Sequence, residues 1–188
     1  MKPLRYLAAA LMLAGTGAGA VTMGDDGLHK APWMRNTFKD LREDLAEATA
    51  DGRRLMVIVE QRGCIYCTKM HEEVFPAPAI DSLLREKYFV VQINMFGDVE
   101  VTDFDGETLS EKQAVRKWGL LFTPTMMFFP EEVPDEVPAS RAAVAIMPGA
   151  FEKGTTQDLL TWVLEKGYDL EEPFQKYHAR KLEERRSQ

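Results

Sequence analysis

Cysteine is scarce in this chain, with two in 188 residues, Cys64 and Cys67. Small exported proteins that rely on disulfides for stability usually carry several, scattered along the sequence, so a stapled scaffold is the lesser reading. The loop these two would close is very short, and closing it removes little entropy from the unfolded chain. Basic residues are also in deficit: 23 Lys and Arg stand against 30 Asp and Glu, for a net charge of −7. Nucleic-acid binding rests on cations that neutralise phosphates, so this balance predicts no nucleic-acid partner. Long apolar runs are missing too. Leu7 to Leu13 is an apolar run, shorter than the roughly 20 residues that a membrane-spanning helix needs, and no later stretch is long enough. No internal repeat or low-complexity block is present.

The apolar run reads as part of a secretory leader. Lys2 and Arg5 give a positive start, and Ala18–Gly19–Ala20 offers the small residues of a cleavage site. Residues 1–20 are thus expected to be a signal peptide; an uncleaved anchoring helix is the competing reading. Removal leaves about 168 residues with a net charge of −9, enough for one domain with one core. The expected location is a bacterial periplasm.

Residues 21–36 show no clear period. "FKDLREDLAEATADG" places Phe38, Leu41, Leu45 and Ala46 at helical spacing and stops at Gly52. "RRLMVIVEQ" is a branched apolar run of the kind found in buried strands, broken by Gly63. "CIYCTKMHEEVF" predicts a helix ending at Pro76, and "AIDSLLREKY" predicts another. "FVVQINMF" is a second strand, followed by a loop and by a helix capped at Ser110. "TMMFF" and "RAAVAIM" predict two further strands around an acidic, proline-rich insert at Glu131–Asp135. "TTQDLLTWVLEKGY" closes the domain near residue 167, and residues 168–188 read as a charged, solvated tail. Alternating elements of this kind define an α/β fold with helices on both faces of a sheet, and the last two strands should be antiparallel.

Cys64 falls where a buried strand hands over to a helix. Free backbone N–H groups and the positive end of the helix dipole there favour thiolate, the nucleophile of disulfide exchange. Cys67 lies one turn on, placed to attack a mixed disulfide formed at Cys64.

This arrangement resembles the thioredoxin superfamily over residues 37–167. "LMVIVEQRGCIYC" is similar to the family's strand leading into its C-x-x-C helix, "FTPT" at Phe122–Thr125 to its cis-proline loop, and "MPGAF" with the helix after it to its closing segment. Within the superfamily, "VEQRGCIYC" with "MHEEVF" is most similar to SoxW-type periplasmic proteins. The resemblance implies a thioredoxin-like fold, a mixed central β-sheet flanked by helices on both faces. It implies a cis Thr123–Pro124 bond facing the redox pair, where Thr123 offers its backbone to an incoming peptide and Pro124 keeps metal away. Protein disulfides as substrates, a membrane-borne electron donor and no cofactor follow from the same likeness, and no separate dimerisation segment is evident, so a monomer is expected. Two departures stand out: Gly63 replaces the usual Trp, and Ile65–Tyr66 replace Gly-Pro. The family's buried aspartate would fall at Ile58, leaving Glu60, two residues on, either to accept the proton of Cys67 or to reach solvent.

Tyr66 is expected to shape the rim around Cys64. His71 could tune a thiol but reads as a surface or boundary residue. Met70, Met126 and Met127 read as core filler, and Trp118 and Trp162 as core anchors. Three functions compete. The first is an exported thiol–disulfide oxidoreductase acting through Cys64 and Cys67, a reductase of clients in sulfur oxidation or cytochrome c maturation. The second is a copper or zinc carrier using Cys64, Cys67 and His71, although structural zinc needs four ligands. The third is a non-catalytic binding module.

Overall fold

The computed structural model describes residues 21–187; the expected leader, residues 1–20, lies outside them. Three two-residue strands come first, β1 (Thr22–Met23), β2 (His29–Lys30) and β3 (Met34–Arg35). Then follow α1 (Leu41–Ala50), β4 (Arg54–Glu60), α2 (Ile65–Lys69), a π-helical turn over Met70–Val74, α3 (Pro78–Lys87) and β5 (Tyr88–Asn94). A hairpin of β6 (Glu100–Thr102) and β7 (Thr108–Ser110) precedes α4 (Glu111–Lys117) and β8 (Thr125–Phe128). The chain continues through α5 (Ala139–Ala142), β9 (Ala145–Pro148), α6 (Lys153–Leu164), a 3-10 turn over Gly167–Asp169 and α7 (Phe174–Arg186).

The central sheet has five strands in the order β3-β5-β4-β8-β9. β3, β5 and β4 run parallel, while β8 and β9 are antiparallel additions, so the sheet is mixed. β4 is buried at every position because both faces are covered, which explains its unbroken apolar run. Met56 and Ile58 pack with Ile80 of α3 and Leu160 of α6 on one face. Leu55, Val57 and Val59 pack with Leu41 of α1 and Val115 of α4 on the other. Glu60 follows the period of Met56 and Ile58 and faces the α3–α6 side.

Several segments differ from the sequence pattern or go beyond it. Residues 21–36 are ordered: β3 extends the sheet beside β5, and Leu28 and Trp33 are buried. Pairing with another strand, rather than any period of its own, gives this segment its structure. α1 buries Leu41, Leu45 and Ala48, whereas Phe38 is 94% exposed because the helix starts after it, capped by Asp40. The stretch expected as a strand at Arg141–Met147 splits into the end of α5 and the start of β9. The acidic insert is pinned, since Glu131 pairs with Arg54 and Lys166. The hydrogen bond from Arg54 holds Glu131 below the usual carboxylate range against the opposing effect of burial. The tail is docked as well. Asp158 of α6 accepts two bonds from Arg185, at 2.8 and 2.7 Å, and lies 2.6 Å from His178 Nδ1, while Tyr177 is buried.

Asp44 is buried on the inner face of α1. Desolvation raises its pKa to about 7; the Thr37 hydroxyl works against this, and Asp40, Glu47 and Glu43 reinforce it. The folded state therefore holds this proton more tightly than the unfolded chain. Its contribution to stability is full below about pH 4 and is lost as pH rises to about 7. Asp44→Asn should remove that decline, stabilising the protein at neutral pH by on the order of 2 kcal/mol relative to wild type. Urea unfolding of both proteins across this pH window measures it.

Candidate functional site: a disulfide at the end of β4

Gly63, between β4 and α2, has φ of +71°, a conformation glycine adopts without the cost a side chain would bring. The turn delivers Cys64 to the N-cap of α2. Cys64 and Cys67 are joined as a disulfide, with Cα atoms 5.2 Å apart. The backbone N–H of Cys67 donates to Cys64 Sγ at 3.0 Å. Both cysteines are buried, Cys64 at 7% and Cys67 at 1% exposure, so Cys64 is the accessible partner.

The loop before β8 covers this pair. The Thr123–Pro124 peptide bond is cis, Thr123 Oγ1 donates to Cys64 Sγ at 3.3 Å, and Thr123 O lies 3.5 Å from the same sulfur. Apolar side chains flank both segments in the chain: Ile65 and Tyr66 after Cys64, and Leu121 and Phe122 before Thr123, are all well exposed. Tyr66 is 58% exposed. Leu121 and Phe122 were not singled out in the sequence, although their place just before Thr123–Pro124 is a usable signal.

A buried polar cluster joins the end of β4 to the helical stretch that carries Cys67. Glu60 is 1% exposed and does not reach solvent. Its Oε1 lies 2.9 Å from His71 Nε2, and its Oε2 accepts from Gln92 Nε2 at 2.5 Å. Gln92 Oε1 in turn accepts from Lys30 Nζ at 2.6 Å. His71, expected at the surface or its boundary, is buried. Cys67, Met70, His71 and Val74 form the inward stripe of this helical stretch, and spacing at three, four and seven residues was the signal that marks it. The helix also departs from the expected α form after Lys69, where a π turn closes on Phe75 N donating to Met70 O at 2.8 Å. His29, from the unpatterned N-terminal segment, stacks on His71 with ring centres 4.7 Å apart. Desolvation, then His71, holds His29 below the ordinary imidazole value against the pull of Glu60 and Glu72. No periodic signal could have found His29. Met70, Met126, Met127, Trp118 and Trp162 are buried in the core.

Among the described residues, no group of three or more His, Cys, Asp and Glu side chains is arranged to hold a metal. No described helix is long and apolar enough to cross a membrane.

Comparison with known proteins agrees with this geometry. Residues 41–133 match the model of a family described as a thioredoxin-like domain. A thioredoxin-fold protein from Helicobacter pylori superposes with a TM-score of 0.58 at 10% identity, covering 89% of this chain and 96% of its own. A thioredoxin from Thermus thermophilus gives 0.52 at 23% identity, covering 68% and 86%. No curated protein matches the sequence. The chain has a thioredoxin-like fold, with a mixed sheet and flanking helices. It places a C-x-x-C disulfide at the start of the first helix after the central strand β4.

Proposed function

We propose that this protein is a thiol–disulfide oxidoreductase that acts on protein disulfides. The observation that carries the reading is the asymmetry of the pair. Cys64 is the more exposed sulfur and receives hydrogen bonds from Cys67 N and Thr123 Oγ1, whereas Cys67 is sealed one turn inside. Donors aimed at a sulfur stabilise its thiolate. Once reduced, Cys64 attacks a client disulfide and Cys67 resolves the resulting adduct. The cis Thr123–Pro124 loop and its apolar rim suit an extended client segment lying across Cys64. Tyr66 contributes to that rim.

The finer reading is a SoxW-type reductase, exported to the periplasm and recharged by a membrane-borne dithiol donor. Its clients would be proteins of sulfur oxidation or cytochrome c maturation, and it would work as a monomer. The leader-like residues 1–20 and the VEQRGCIYC motif support it. A metal carrier using Cys64, Cys67 and His71 would bring three ligands, where a structural zinc site takes four.

Insulin reduction in the presence of dithiothreitol tests the activity. Wild type should accelerate precipitation of the insulin B chain, and Cys64→Ser should return the rate to the uncatalysed background. A wild-type rate at background would leave a non-catalytic thioredoxin-fold module as the better description.

A further inference from the structure

Opening a buried disulfide creates a local charge problem. The bond breaks with its electron pair on Cys67 Sγ, which is 1% exposed, and a dry thiolate needs a proton or a cation nearby. Glu60 is the nearest acid along β4, yet both of its oxygens already accept hydrogen bonds, from His71 and from Gln92. A carboxylate accepts, so His71 Nε2 carries the hydrogen and Nδ1 is left as a bare acceptor. Nδ1 is buried and has no hydrogen-bond partner. Such an orphan normally has an explanation in function. His71 shares the inward stripe of this helical stretch with Cys67, four residues earlier.

We propose that His71 is a positioning residue of the redox site, holding at Nδ1 a proton that it shares with Cys67 Sγ in the reduced protein. The inference rests on the exchange reading above. A dithiol donor supplies two electrons and two protons. Its first thiolate attacks Cys64 Sγ, the Cys64–Cys67 bond breaks, and its second thiolate displaces Cys64 as the donor closes its own disulfide. One released proton is held between Cys67 Sγ and His71 Nδ1; the other goes to Cys64 or to solvent according to pH. Glu60 balances the charge on the imidazole. His29 from β2 stacks on the ring and excludes water, and Trp33 and Phe75 complete the apolar wall. The remaining charged groups are Lys30 behind Gln92, Asp26 paired with Lys30, and Glu72, next to His71 in the same turn.

The test is the equilibrium between the protein and dithiothreitol, read by alkylating free thiols and weighing the products from about pH 5 to about pH 9. After correction for the protons of the dithiol, the wild-type constant should change by about ten-fold across one imidazole ionisation, and by less than about two-fold in His71→Gln. Glu60→Gln removes the balancing anion, so its inflection should move at least about one pH unit lower. That shift decides alone if His71→Gln does not fold. Superimposable profiles for wild type and the folded variants overturn the proton-holding role and leave the exchange chemistry intact. A wild-type disulfide that the dithiol cannot reduce at any pH overturns both.

Discussion

Cys67→Ser should trap client proteins on Cys64 through a mixed disulfide that dithiothreitol releases, and the doubly substituted Cys64→Ser, Cys67→Ser protein should trap none. The expected effect is close to all-or-none, because the resolving thiol in the native site is held one helical turn from the sulfur it attacks. Intramolecular reactions of well-placed groups gain effective concentrations of about 10⁵ M or more, which external thiols at millimolar levels cannot match. Adduct lifetime should therefore lengthen by at least about a thousand-fold. Non-reducing electrophoresis and mass spectrometry of the isolated adduct provide the measurement. Adducts forming through position 67 in Cys64→Ser, and not through Cys64 in Cys67→Ser, would reverse the assignment of roles.

The second large effect concerns stability, away from the sulfurs. Asp103 is fully buried and accepts from the backbone N–H groups of Phe104 at 2.7 Å and Ala139 at 2.8 Å. It also accepts from the Trp118 indole at 2.9 Å and pairs with Lys117 at 2.9 Å. One carboxylate thus ties the loop of the β6–β7 hairpin to the end of α4 and the start of α5. Asp103→Ala leaves three buried donors and one half-buried ammonium without it, and breaking a buried hydrogen-bonded charge costs about 3–5 kcal/mol. Chemical denaturation should show the midpoint falling with little change in slope. Asp103→Asn keeps an acceptor and should lose less. A loss below about 1 kcal/mol in the alanine variant would mean that water replaces the carboxylate there.

What was legible in the sequence follows from what each element depends on. β4 and β5 announce themselves because strands buried on both faces are apolar at nearly every position, as in Leu55–Val59. The site was legible for a local reason: Gly63, Cys64 and Cys67 sit within a few residues, and a strand–turn–helix passage fixes their geometry. His71 was misread although its spacing from Cys67, Met70 and Val74 marked the inward stripe; polarity was allowed to outweigh period. His29 and β3 could not be read, because a two-residue strand has no period and is held by a partner distant in sequence, as Met34 is by Val90. The hairpin at Glu100–Ser110 was hidden in the same way, since Asp103 and its partners organise it rather than a run of apolar residues. The final helix reads in the sequence as a charged tail, because its docking depends on Asp158 meeting His178 and Arg185, a match between segments that no single window displays.

The margins of the five-stranded sheet carry a practical consequence. On one side the ladder stops after the two residues of β3, and on the other β9 ends at Pro148, which has no amide hydrogen to offer. Neither border gives a second molecule much length to zip onto. A concentrated preparation should stay dispersed while its sulfurs are cycled, and any clumping should trace to the exposed apolar side chains of Ile65, Tyr66, Leu121 and Phe122 instead of to fibre-like stacking.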